Sequence, residues 1–207
     1  MVEDMSAHWN RIYGATAPTE VSWFQADPAP SLSMIATAGT TRSAAVIDLG
    51  AGASTLVDQL LNVGFDRLTA LDISDKALEV AKARLKDKAG AIEWIVANAT
   101  TWSPPKGAYD LWHDRAVFHF LVDDIDRQGY LRALNRGLRV GGRLILAPFA
   151  LSGPDHCSGL PVRRYSPQTL RAALGRRFEL LDAKSETHVT PGGASQDFTW
   201  CLFQKIL

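Results

Sequence analysis

The residues best placed to do chemistry cluster in Val46-Ile47-Asp48-Leu49-Gly50-Ala51-Gly52-Ala53-Ser54. An apolar run meets a glycine turn and then a helical pattern, so free backbone N–H groups face outward where a ligand can approach the main chain closely. Two carboxylates belong to the same place. Asp72 closes the next apolar run, 20 residues after Gly52, where a carboxylate accepts both hydroxyls of a ribose. Asp48 precedes the first glycine by two residues. A pyrophosphate lying over that turn would be repelled by it, and a cationic group would be attracted. The third glycine of the dinucleotide pattern is replaced by Thr55. Both features disfavour a nicotinamide-dependent oxidoreductase. They suit a nucleoside ligand with an ammonium and no phosphate, of which S-adenosylmethionine is one.

Further along, His113 and Asp114 end a fourth apolar run. A histidine there is the first candidate for a general base toward a bound acceptor, and Asp114 the second. His119 follows Phe118 within an apolar stretch and reads as structural. Arg163-Arg164 read as a solvated pair, and Cys157 beside His156 does not read as a reactive thiolate pair.

The elements that must position these groups alternate. Apolar strands are expected at 44–49, 68–73, 92–97, 109–113 and 143–148. Between them, helical spacing covers Ser54 to Val63, Asp75 to about Lys86 capped by Ser74, and Asp126 to Arg139 ended by Gly141-Gly142. Strands rich in Val, Ile and Leu separated by such helices predict right-handed βαβ units and a parallel sheet covered on both faces. Residues 149–162 read as a loop rich in Gly and Pro, and Ser166-Pro167 opens a helix to Leu174. Phe178 to Lys184 and Phe198 to Phe203 read as an antiparallel hairpin turning across Thr190 to Gly193. Residues 1–40 are expected to form a helical lid carrying Trp9, Tyr13, Trp23 and Phe24, with ordinary core packing as the alternative. Residues 41–207 form the ligand-binding domain in this reading.

Composition narrows the function classes. Lys plus Arg equals Asp plus Glu at 22 each, which argues against a protein that grips a phosphate backbone. Two cysteines, Cys157 and Cys201, have no metal-ligand spacing, so neither a disulfide framework nor a structural zinc is expected. The longest apolar stretch of the C-terminal half, Leu144 to Leu151, contains a proline and falls well short of the roughly 20 residues of a spanning helix. Glu3 and Asp4 stand in a start without an apolar leader region, and a cytoplasmic location is expected.

Four motifs, in order and at matching spacing, resemble those of class I S-adenosylmethionine-dependent methyltransferases. They are Asp48-Leu49-Gly50-Ala51-Gly52, Leu71-Asp72-Ile73-Ser74, Ala97-Asn98-Ala99-Thr100 and Tyr109-Asp110-Leu111-Trp112-His113-Asp114-Arg115. Gly141-Gly142-Arg143-Leu144-Ile145-Leu146 resembles the stretch leading into the family's fifth strand. Trp9-Asn10, Val21-Ser22-Trp23-Phe24-Gln25 and Asp114-Arg115-Ala116 resemble small bacterial members and the thiopurine and tellurite methyltransferase relatives. The resemblance spans roughly residues 44–150, and the family's terminal hairpin would account for 176–207. It implies a Rossmann-like, seven-stranded, mostly parallel sheet with helices on both faces and a terminal antiparallel hairpin. It also implies that Gly50 and Gly52 lie under the methionine and ribose, with Asp48 near the ammonium. Asp72 would bind the ribose, Ile73 would pack on the adenine, and Asn98 with Ala99 would read the adenine edge. Family members often carry Asp at the position of Asn98. Trp23 belongs to the lid over the donor, while His113 and Asp114 sit nearest the methyl. The Asn-Pro-Pro-Tyr signature of many amino-methylating nucleic-acid enzymes is absent, so a small-molecule acceptor is expected. Alternatives are a protein-lysine methyltransferase and a non-catalytic S-adenosylmethionine-binding module. No metal and no membrane partner is implied.

Overall fold

The computed structural model describes residues 5–207, so Glu3 and Asp4 lie outside the described residues. Seven strands form one sheet: β1 (Ala45–Leu49), β2 (Arg67–Asp72), β3 (Ile92–Val96), β4 (Tyr109–Arg115), β5 (Leu138–Ala147), β8 (Phe178–Val189) and β9 (Ser195–Lys205). Their spatial order is β3-β2-β1-β4-β5-β9-β8. The pairs from β3 to β5 are parallel, and β9 runs antiparallel to both of its neighbours. This is the Rossmann-like, mostly parallel sheet with a terminal antiparallel hairpin. Two two-residue strands, β6 (His156–Cys157) and β7 (Leu160–Pro161), form a small ribbon inside the stretch expected to be loop.

Strand alternation sorts the apolar residues into two layers. Val46, Leu68, Leu111, Ile145 and Leu202 face α2 (Ala29–Thr37), α3 (Leu56–Asn62) and α4 (Asp75–Leu85). Ile47, Leu71, Trp112, Leu144 and Phe203 face α5 (Asp124–Gly137) and α6 (Pro167–Leu174). Helix α2, at the end of the expected lid segment, puts Met34 and Ile35 into the first layer as core. Helix α1 (Met5–Ala15) is fixed to the start of α4, because the Ser74 hydroxyl accepts from Ala77 N and donates to Asn10 Oδ1 at 2.6 Å.

Several expected boundaries move, with β5 beginning earlier and both hairpin strands running longer. Helix α5 stops at Gly137, and Gly141-Gly142 lie inside β5 instead of ending the helix. Leu138 is already extended and pairs with Tyr109 of β4. Within α5, Gly129 allows close packing on the turn that carries Asn98. A Cβ at Gly129 would lie 2.1 Å from the Thr100 carbonyl oxygen, and backbone cannot rotate away as a side chain can. Gly129→Ala is therefore expected to cost about 1–3 kcal/mol, read as a lower melting temperature. An unchanged melting curve would contradict this packing.

Candidate active site

The glycine turn after β1 and the end of β2 meet as the strand alternation dictates. Gly50 and Gly52 both have positive φ, at 69° and 52°, a region glycine enters without steric cost. Space above them is tight. A Cβ on Gly50 would lie 2.0 Å from Val117 Cγ2, and one on Gly52 would lie 2.4 Å from the Tyr13 hydroxyl. Asp72 is buried and accepts from Gly52 N and Ser74 N, each at 2.8 Å. Burial pushes its carboxyl up to about 6, and the nearby charge of Asp48 adds to the rise against those two N–H bonds. Each carboxylate oxygen keeps a lone pair for a further donor.

Two cavities open at this end of the sheet. The larger, of roughly 200 Å³, is lined by Gly50, Asp72, Ile73, Asn98 and Ala99 on one side and by Trp9, Phe120, Phe149 and Phe198 on the other. The smaller, of roughly 60 Å³, is lined by Asp48, Ala51, Ser54, His113 and Ser31. Tyr13, Trp23, Gly50 and Arg115 border both. The Trp23 indole donates to the Tyr13 hydroxyl at 3.2 Å, which forms a partition between them. Tyr13 is half-buried, and desolvation beside Asp72 keeps its phenol protonated.

The expected donor residues thus divide between two adjoining chambers. Asp72, Ile73, Asn98 and Ala99 lie in the larger chamber, and Asp48 lies in the smaller one beyond the partition. Asp48 fits a cationic group for a specific reason. Its Oδ1 accepts from His113 Nδ1 at 2.8 Å, while Oδ2 is buried with no hydrogen-bond partner among the described residues. A buried carboxylate oxygen left open is costly unless a ligand completes it. Asn98 departs from its expected use, because its Oδ1 accepts from Thr100 N and from the Thr100 hydroxyl, each at 2.9 Å. That oxygen is committed to its own turn.

The two expected catalytic residues do not share a chamber. His113 faces the smaller cavity on the α2 side, its Nε2 3.0 Å from Ser31 Oγ. Asp114, the next residue, points to the opposite face of β4. It is fully buried and accepts from Val117 N, Phe118 N and the Tyr130 hydroxyl. The physical reason is strand alternation, which sends successive side chains to opposite sides. Burial raises the Asp114 carboxyl to about 6 against those three bonds. Among the described residues no histidine lines the larger chamber. His119 lies behind it, accepting from Phe149 N, and burial with the Arg115 charge pushes its imidazole down to about 3.

Residues not foreseen at the site include Arg115, Phe120, Phe149, Phe198 and Ser31. Cys157, whose role the sequence left open, lines the larger chamber, and burial raises its thiol. Arg163 stacks near Tyr165, and Arg164 donates to the Gly153 carbonyl. Among the described residues no group of His, Cys, Asp or Glu is arranged to hold a metal ion, and no helix is long and apolar enough to cross a membrane.

Part of the chain is similar to known proteins. Residues 46–142 match the family model described as a methyltransferase domain. The ubiquinone/menaquinone biosynthesis C-methyltransferase UbiE of Shewanella sediminis is 29% identical over 126 residues, covering 59% of this chain and 48% of that protein. The chain spans about half the length of the curated relatives it matches. A structure solved for the conversion of a disulfide bond into a thioacetal group during echinomycin biosynthesis superposes with a TM-score of 0.79 at 20% identity, over 98% of this chain and 93% of that one. The Burkholderia thailandensis 1,6-didemethyltoxoflavin-N1-methyltransferase, bound to 1,6-didemethyltoxoflavin and S-adenosylhomocysteine, superposes with a TM-score of 0.67 at 20% identity, over 98% and 85%. The structural likenesses show the shared fold. Residues 46–142 are thus similar to a methyltransferase domain, set in a fold shared with solved methyltransferases.

Proposed function

We propose that the chain transfers the methyl group of S-adenosylmethionine to a small organic acceptor held in the larger chamber. The observation that carries this reading is the chamber itself. One end has the features of a donor nucleoside site, around Asp72 and the Gly50–Gly52 turn, and the other is walled by Trp9, Phe120, Phe149 and Phe198. A roughly 200 Å³ space suits a small molecule better than a polymer segment. One structural relative is bound to a small organic molecule of this kind, 1,6-didemethyltoxoflavin.

The donor, when bound, supplies a sulfonium methyl that is already activated, so the protein mainly contributes position and water exclusion. Asp72 holds the ribose hydroxyls. Asp48, oriented by His113 and through it by Ser31, holds the ammonium. Trp9 packs edge-on against Trp23 and Phe120, with ring centroids 5.6 and 5.1 Å apart, and this aromatic wall keeps water from the reacting carbon. In this reading His113 is a positioning residue, and the chamber deprotonates no acceptor through a histidine.

A tritium-transfer assay tests the acceptor class. With labelled S-adenosylmethionine, label is expected in organic-extractable small molecules such as thiols, phenols and carboxylic acids. Label confined to protein or nucleic acid would refute the reading.

A further inference from the structure

Arg115 is a half-buried cation whose inner guanidinium nitrogens find too few partners among the described residues. Its Nη1 donates to the Trp23 carbonyl at 2.9 Å. Its Nε and Nη2 are buried with no hydrogen-bond partner. The guanidinium carbon stacks 4.7 Å from the centroid of Phe198, which fixes the plane of the fork. The nearby acids bond elsewhere, with Asp48 Oδ2 left open. Glu186 accepts from Gln25 Nε2 and Trp200 Nε1, and Asp48 accepts from His113. None forms an ion pair with Arg115 among the described residues. Burial lowers its pKa only to about 10, so it stays charged at neutral pH.

Guanidinium nitrogens shut off from water are normally paired, because an uncompensated desolvated charge is costly. The open Nε and Nη2 form a planar pair of donors, the geometry that takes a carboxylate or similar oxyanion in two parallel bonds. Arg115 borders the aromatic chamber beside Phe149 and Phe198, at the end of β4 where ligands bind in such sheets.

We propose that Arg115 is the acceptor-recognition residue, and that the acceptor carries an anionic oxygen (a carboxylate, enolate or phenolate) seated on its Nε and Nη2 against the aromatic wall. This deepens the methyltransferase reading and rests on it. The fixed charge takes over work that a base would do. It stabilises the acceptor in its deprotonated form, whose electron pair makes the new bond to the methyl carbon as the carbon–sulfur bond breaks and S-adenosylhomocysteine leaves as a neutral sulfide.

The test titrates protein saturated with S-adenosylhomocysteine with benzoate and with benzyl alcohol, its neutral counterpart, by calorimetry. The titrations are repeated on Arg115→Met and Arg115→Lys, after their melting curves and S-adenosylhomocysteine affinities are measured. Wild type is expected to bind benzoate at least about 10-fold more tightly than benzyl alcohol. Arg115→Met erases the preference, Arg115→Lys keeps part of it, and S-adenosylhomocysteine affinity stays within about 3-fold throughout. If the methionine variant fails to fold, the lysine variant carries the comparison, because losing the fork alone must narrow the preference. Equal affinity for both probes in wild type overturns the proposal, as does failure of benzoate to bind. So does a preference that survives Arg115→Met, or a loss of S-adenosylhomocysteine affinity with the anion preference intact, which would assign Arg115 to the donor. Failure of wild type to bind S-adenosylhomocysteine at all is a separate result and would remove the methyltransferase reading itself.

Discussion

Asp72→Ala is expected to weaken S-adenosylhomocysteine binding roughly 150-fold, since two charge-assisted hydrogen bonds of about 1.5 kcal/mol each are lost. The side chain does two jobs from one position. It pins Gly52 N and Ser74 N, and thereby sets the turn over which the donor lies. Its remaining lone pairs face the larger chamber. Asp72→Asn does no better, because one face of the amide must present N–H to a backbone N–H. Calorimetric titration beside a melting curve checks both variants. A folded alanine variant with wild-type affinity would remove the ribose from this site.

The same group gives opposite pH trends for stability and for binding. In the fold its carboxyl is raised from 3.8 to about 6, so the folded protein holds the proton more tightly than the unfolded chain does. Its contribution to stability is then full below the ordinary carboxylate value and is lost as pH rises from about 4 to about 6. Asp114, raised the same way to about 6, adds in the same direction. Donor binding needs the ionised form of Asp72. At pH 5 only about a tenth of it is ionised, so S-adenosylhomocysteine affinity falls roughly tenfold relative to neutral pH. Titrations at both pH values read this directly. Affinity independent of pH between them would mean that Asp72 is not the ribose acceptor.

How much of this was legible follows from which interactions are local. The central strands were readable because a strand buried on both faces is a continuous apolar run, as in Val46-Ile47 and Leu68 to Leu71. The turn at Gly50–Gly52 was readable because only positive φ explains two glycines there. The β6–β7 ribbon was not, since strands of two residues carry no periodicity. The end of α5 was misplaced because Leu138 leaves the helix to pair with Tyr109, a contact 29 residues away in sequence. His113 and Asp114 were read as neighbours in one site, yet alternation along β4 already implied opposite faces. Arg115 stayed unseen for a different reason. Its significance lies in partners it lacks, and the acids around it are engaged by Trp200, Gln25 and His113, which only the tertiary fold brings together.

His113→Ala is expected to cost about 3 kcal/mol of stability and to raise the Michaelis constant for the donor, because Asp48 is left buried with neither oxygen satisfied. Asp48 and His113 stand directly opposite each other in the β1–β4 register, with both side chains nearly inaccessible. In a chain of this size the loss appears as a drop of roughly 6–12 °C in melting temperature. His113→Asn separates positioning from base catalysis. Its side-chain N–H₂ reaches toward Asp48 Oδ1 from nearly the place of Nδ1, but it cannot accept a proton at neutral pH. If His113 positions Asp48, the asparagine variant regains most of the stability and donor affinity, and its turnover with an acceptor found by tritium transfer stays within about 10-fold of wild type. Its pH–rate profile then keeps the wild-type shape. If His113 is a base, both variants lose roughly 100- to 10,000-fold in turnover, and the limb of the profile that reports the imidazole disappears in both. The geometry favours the first result, because Nε2 is turned to Ser31 in the small chamber and away from the aromatic wall.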